Sequence, residues 1–360
     1  MILLQDAELS AVLNQIKAGQ SLSREVASKL MDAFTRDGTS PEFIKECLMA
    51  LKAKKESVDE ILGFTDSLRK KANAFPTHSS SFSSGGRMDV CGTGGDRSGS
   101  FNVSTTVAFV VASSGVPIAK HGNRSVSSRS GSFDVLESLG IETLKDPAKI
   151  ASSIEDYGLG FLFAPVFHPV LAKLGPLRKE LGTPTVFNIL GPLLNPAPLD
   201  YQLIGVNDPE ILRKLGEVLA ARGLREAMIV HGEEGLDELS LAGPTRVAHV
   251  KKDAVREYRL TPADFGLNKA SNEDLKGGTP TENAVILYNI LKGGRGPKRD
   301  VVLLNASAAL VVAGAARDFR EGVRIAAESI DSGKSLGLLE RLVVNAEAHA
   351  LIRAQAGAMS

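Results

Sequence analysis

Gly92, Gly94, Gly95 and Gly99 fall inside one short span, Asp89-Val-Cys-Gly-Thr-Gly-Gly-Asp-Arg-Ser-Gly-Ser-Phe-Asn-Val-Ser-Thr105. An apolar run at 88–91 precedes it and reads as a strand end. The Ala- and Val-rich stretch 103–114 follows it and has helical length. Glycines let the backbone turn tightly and bare its N–H groups, and a helix N-terminus adds partial positive charge, so strand, loop and helix together make an anion cradle. A second stretch, Lys120-His-Gly-Asn-Arg-Ser-Val-Ser-Ser128, starts after a gap of fourteen residues and brings two permanent cations, an amide and three hydroxyls. A connector this polar cannot be buried without partners. Lys120 and Arg124 suit phosphate oxygens, Arg124 through its planar fork. Two polyanion-binding loops so close together imply a ligand with more than one phosphate.

The glycine spacing is not the dinucleotide fingerprint, because no ribose-binding acid stands about twenty residues on, and the Gly-Lys-Ser/Thr of a P-loop is missing. Asn102, Ser104 and Thr105 at the following helix start strengthen the phosphate reading, and Ser104 can cap that helix or bind a metal. His121 can act as a base or as a neutral hydrogen-bonding group. Asp237-Glu238 sits in a glycine-flanked turn; as an isolated dipeptide it reads as surface charge, although adjacent acids can also aim at one cleft. Glu233 and Glu234 read as solvated. Arg178, on a helical segment beginning near Pro169, reads by itself as a surface arginine.

The elements that must position these groups follow from the pattern of the chain. Its 360 residues favour one large domain with a smaller partner. Lys plus Arg and Asp plus Glu both number 42, which argues against a protein built to coat nucleic acid. No window reaches the ~18 apolar residues that span a bilayer, and Met-Ile-Leu-Leu-Gln-Asp lacks the basic start and cleavage site of a signal peptide. Cys47 and Cys91 have no metal-ligand spacing and read as buried thiols in a reducing, cytoplasmic compartment.

Residues 1–74 read as helices. Ser40-Pro41 is a cap followed by proline at the first helical position, and Ser57-Val-Asp-Glu60 is a capping box. Lys52 to Lys55 reads as a solvated helix end, and the Ser- and Gly-rich stretch from Pro76 to Gly86 as a connector and domain boundary. Strand-like runs at 88–91, 116–119, 160–163, 201–206 and 227–231 then alternate with helical lengths, the pattern of a mostly parallel sheet covered by helices. Ligands of such sheets gather at the carboxyl ends of the strands, where both phosphate loops and Asp237-Glu238 can converge. Residues 246–260 alternate as an antiparallel hairpin, and the tail from Thr281 is helical.

In their order, the two loops resemble those of the anthranilate phosphoribosyltransferase family. Arg178-Lys-Glu-Leu-Gly182, Thr185-Val-Phe-Asn-Ile-Leu-Gly-Pro-Leu-Leu-Asn-Pro196 and His231-Gly-Glu-Glu-Gly-Leu-Asp-Glu-Leu-Ser240 resemble the same family, as do the helical N-terminus and the Glu282-Asn-Ala and Leu304-Asn-Ala segments. The resemblance implies an α/β large domain (88–167 and 183–360) with a mostly parallel central sheet, plus a small all-helical domain of 1–74 joined by about 168–182. It implies transfer of a phosphoribosyl group from phosphoribosyl pyrophosphate to anthranilate in tryptophan biosynthesis, by a cytoplasmic homodimer with two Mg2+ per active site. Residue by residue, phosphoribosyl pyrophosphate falls to Gly92, Gly95, Asp96, Ser100, Asn102, Val103, Ser104, Thr105, Lys120, His121, Gly122, Asn123, Arg124, Ser125, Val126, Ser127, Ser128 and Ser132. Anthranilate falls to Gly92, Asn123 and Arg178, and the metal to Ser104, Asp237 and Glu238. No general base is implied. Arg97, Ser100 and Pro184 depart from the residues usual in the family, and the connector at 79–84 is extended. A pyrimidine nucleoside phosphorylase shares the fold and a similar glycine loop, but would not need Asp237-Glu238. A non-catalytic nucleic-acid-binding relative would have lost the acids and gained positive charge.

Overall fold

Apolar runs alternating with helix-length segments fold into a seven-stranded sheet in the computed structural model, which describes residues 6–76, 86–96, 98–125 and 129–358. The strands are β1 (Met88–Gly92), β2 (Ile118–Gly122), β3 (Leu159–Phe163), β4 (Tyr201–Gly205), β5 (Glu226–Gly232), β6 (Thr245–Lys251) and β7 (Ala254–Leu260). Their order is β3-β2-β1-β4-β5-β6-β7. The first five run parallel, and β6 and β7 add the expected antiparallel hairpin. Successive strands lead away from β1 on one side to β2 and β3, and on the other to β4 and β5. The sheet's switch point therefore lies between β1 and β4, where Gly92 pairs with Gly205. A crevice outside such a point is the usual ligand position in an open α/β sheet.

The described residues divide into two compact units, one from Met1–Ala74 and Ala164–Pro196, the other from Phe75–Phe163 and Ala197–Ser360. In the second, Met88, Val90, Leu203, Met228 and Val230 share a core with the helices Val103–Ser113, Pro280–Leu291 and Pro297–Val312. In the first, Asp6–Lys17, Arg24–Thr35, Pro41–Lys54 and Val58–Lys70 are helices. Ser40 accepts from the Phe43 N–H, and Ser57 with Glu60 forms the reciprocal box. Among the described residues no helix is long and apolar enough to cross a membrane.

Two local readings change in three dimensions. Lys54 is not solvated: its Nζ lies 2.8 Å from the buried Glu60 Oε2, whose other oxygen accepts from the Leu22 N–H. A buried carboxylate needs such partners, and a neighbouring lysine supplies one. The second segment of the helical unit also runs beyond 168–182. Helix Val186–Leu193 packs on Pro41–Lys54 and Val58–Lys70, Arg69 donates to the Asn195 carbonyl, and the Asn73 N–H donates to Phe167 O.

Candidate active site

The Gly-rich loop leaves the end of β1 with Gly94 and Gly95 at φ of 66° and 79°, a conformation that a Cβ disfavours. It is pinned from the far side of the sequence. Gly277 N–H donates to Gly99 O, Phe101 N–H donates to Leu275 O, and Ser100 bridges Lys276. Ser98 Oγ accepts from the Ser100 N–H. Asn102 then caps helix Val103–Ser113 by position only, with no side-chain bond to its backbone. Its carboxamide Oδ1 instead accepts from Asn283 Nδ2 at 2.9 Å and Ser130 Oγ at 3.2 Å. The first turn of the helix carries no acidic residue of its own. Val103 is buried and its N–H donates to Phe101 O, while the buried Thr105 Oγ1 has no partner among the described residues.

Lys120, His121 and Gly122 are not loop residues, as the polarity of the segment suggests, but the end of β2. β2 lies between β1 and β3, so Lys120 is 3% exposed and His121 8%. There the Lys120 ammonium donates to Val90 O at 2.6 Å and Ser104 Oγ at 3.1 Å. Burial lowers its pKa, and Asp89, Cys91 and Glu238 oppose that shift. Ser104 therefore serves Lys120 and is not a cap. Asp89 Oδ1 accepts from the His121 N–H. Beyond β2 the loop is gathered by Asp134, which no sequence motif singles out; its Oδ2 accepts from the Ser125 N–H at 2.9 Å and the Gly131 N–H at 2.8 Å. Ser132 Oγ donates to Asn123 O. Arg124 pairs with Glu137, its guanidinium 5.5 Å above the Phe163 ring. Val126, Ser127 and Ser128 lie outside the described residues, as does Arg97.

The acids follow β5. Asp237 Oδ2 accepts from the Gly94 N–H at 3.0 Å, which joins the acidic turn to the glycine loop. Desolvation and the Asp96 carboxylate push Asp237 up to about 7. Glu238 is raised well above the ordinary carboxylate range by burial and by Asp237, with Lys120 pulling the other way and the Ser104 N–H also favouring its charged form. Asp96 accepts from the Ser98 N–H through Oδ1, while its buried Oδ2 has no donor among the described residues. Carboxylates crowded this way disfavour one another's ionisation, and a divalent cation removes that conflict. The acids form no closed cage of three such ligands among the described residues. Mg2+ commonly takes one or two protein carboxylates and completes its shell with water and ligand phosphates, so this donor set fits it. Glu234, read as solvated, accepts from Ser240 within the same turn.

Arg178 belongs to the other unit, on the helix Gly175–Leu181, with its guanidinium 5.3 Å above the Phe187 ring.

Comparison with known proteins matches residues 84–336 to the glycosyl transferase family α/β domain and residues 10–72 to the helical bundle domain of the same family. The anthranilate phosphoribosyltransferase of Moorella thermoacetica is 46% identical over 342 residues, 95% of this chain and 99% of that one. Among solved structures, that of the Thermus thermophilus anthranilate phosphoribosyltransferase superposes with a TM-score of 0.85 at 42% identity, covering 95% of this chain and 99% of its own. The Saccharomyces cerevisiae enzyme in complex with PRPP and Mg does so at 0.84 and 28% identity, covering 96% and 99%. Such identity, carried through both units and nearly the full length of each relative, means that the chain belongs to the anthranilate phosphoribosyltransferase family.

Proposed function

We propose that this chain transfers the 5-phosphoribosyl group of phosphoribosyl pyrophosphate to the amine of anthranilate, giving N-(5-phosphoribosyl)anthranilate and diphosphate in L-tryptophan biosynthesis. The observation that carries the reading is the joining of a helix N-terminus that Asn102 leaves without a side-chain cap bond, the buried Lys120 and a crowded carboxylate cluster at one switch point. A cradle of N–H groups and a cation suits phosphate, and carboxylates facing it suit a metal shared with that phosphate.

The aromatic amine is neutral at pH 7, so no side chain has to remove a proton before it attacks. The barrier lies in the departure of diphosphate from the anomeric carbon. Lys120 and the N–H groups of the glycine loop bind the leaving oxygens, where preorganised charge counts most. Asn102, Thr105, Asn123, Ser125, Ser127, Ser128 and Ser132 complete that grip. Mg2+, as two ions held by Asp237, Glu238 and Ser104, would supply charge neutralisation to the departing diphosphate. Asp96, beside Asp237, would take the hydroxyls of phosphoribosyl pyrophosphate, since an ionised carboxylate repels phosphate. Gly92, Asn123 and Arg178 are the anthranilate-binding residues of this reading, Arg178 for the carboxylate. Its guanidinium lies 5.3 Å from the Phe187 ring centre, and its planar fork suits a carboxylate. The chain works as a cytoplasmic homodimer.

Following anthranilate fluorescence with phosphoribosyl pyrophosphate and Mg2+ tests the reading directly. Loss of fluorescence is expected only with both present. Phosphorolysis of thymidine or uridine by a protein that leaves anthranilate untouched would replace it with the nucleoside phosphorylase reading.

A further inference from the structure

Asn305 lies in the middle of helix Pro297–Val312 with no exposed surface, among Val301, Val302, Leu304, Ala306 and Ala308. Asparagine is a poor helix former, and a buried carboxamide is costly unless every polar atom is bonded. Here they are. Oδ1 accepts from the Leu239 N–H at 3.0 Å, and Nδ2 donates to Leu239 O at 3.1 Å and Val301 O at 2.9 Å. The side chain therefore closes a ring with both backbone groups of one residue, as a neighbouring strand would. That residue is buried and directly follows Glu238. On its other side the turn is stopped by Gly205, where a Cβ would stand 1.5 Å from Asp237 O, and the Ser240 N–H donates to Thr245 Oγ1. An apolar residue at 305 would suit the helix better and leave the Leu239 N–H and C=O orphaned.

We infer that Asn305 is a positioning residue for the acid pair: by clamping the Leu239 backbone it sets the direction of the Asp237 and Glu238 carboxylates, and with it the affinity of the site for a divalent cation. The inference rests on the reading of those acids as metal ligands. The test uses Mn2+ alone as a probe, its binding followed by electron paramagnetic resonance, beside the Mg2+ dependence of turnover and thermal melting. Asn305→Ala should weaken Mn2+ binding and raise the half-saturating Mg2+ concentration about tenfold, while the anthranilate KM stays within about twofold; tenfold corresponds to ~1.4 kcal/mol. Asn305→Asp keeps an acceptor for the Leu239 N–H but loses both Nδ2 donor bonds. It should fall between, and it decides the question if the alanine variant does not fold. Ser307→Ala is the comparator, because it breaks a buried bond from the same helix to Phe319 O; it should lose stability and bind Mn2+ like the parent. Normal Mn2+ binding by the Asn305 variants, or an equal loss in Ser307→Ala, overturns the inference. The double change Asp237→Asn, Glu238→Gln separates the two levels. If it binds Mn2+ like the parent, the metal reading fails and takes the inference with it; if it alone loses Mn2+, only the positioning role falls.

Discussion

Replacing Gly205 by alanine should move Asp237 and Glu238 without altering either side chain. A Cβ at Gly205 would lie 1.5 Å from the Asp237 carbonyl oxygen and 2.5 Å from its carbonyl carbon. Both are backbone atoms, so no side chain can swing away. The turn has to retreat by about 1.5 Å before the contact reaches the ~3.0 Å that real Cβ atoms require. Misplacing reacting groups by about 1 Å costs about 10²-fold. We therefore expect kcat to fall about 100-fold, close to ~2.7 kcal/mol of barrier, with a raised Mg2+ requirement. Overpacking of this kind also costs about 1–3 kcal/mol of stability. Gly337→Ala is the comparator, since it sits inside the helix Lys334–Leu342 with nothing within 4 Å of a new Cβ. It should leave turnover unchanged and gain roughly 0.5–1 kcal/mol. Steady-state fluorescence assays across a Mg2+ series, beside thermal melts, decide the matter. A folded Gly205→Ala enzyme with parental kcat and parental Mg2+ dependence would refute the claim that the turn has no room to shift.

Lys120→Ala should weaken phosphoribosyl pyrophosphate far more than anthranilate, because the cation removed faces the cradle beside Ser104; equal rises in both KM values would argue for general damage to β2. Arg178→Ala should raise the anthranilate KM about tenfold or more, since breaking a charge-assisted contact costs about 2–5 kcal/mol, and Arg178→Lys should recover only part. Calorimetry showing normal anthranilate binding by Arg178→Ala would move the acceptor site elsewhere. His168 is buried with Nε2 2.6 Å from Leu194 O, and burial lowers its pKa below the ordinary 6.5. The unfolded chain then holds the proton more tightly, so this stability is full above about pH 6.5 and is lost as pH falls through the folded value. Denaturation midpoints at pH 7.5 and pH 5 should differ less in His168→Gln than in the parent; identical differences would remove His168 from the acid response.

Much of the site was legible because its signals are local. The glycine span between a strand end and a helix start is contiguous, the caps at Ser40 and Ser57 act within one helical turn, and alternating apolar runs announce a parallel sheet whichever partners the strands choose. What tertiary structure alone decided involves residues far apart in the chain. The polarity of Lys120 and His121 argued for an exposed loop, and only the placing of β2 between β1 and β3 buries them, because Val90 O and Ser104 Oγ arrive to satisfy the ammonium. Asp96 stands within the glycine span in sequence, and only the turn after β5 brings Asp237 beside it. Nothing local marks Asn283 or Asn305 as supports, since each is defined by the distant carboxamide or backbone that it holds. Gly205 likewise ends an ordinary strand in sequence and becomes a steric stop only when Asp237 folds against it. Composition and periodicity report what a residue does to its own segment. Which buried polar atoms must find one another is settled only when the segments pack and water leaves them no alternative.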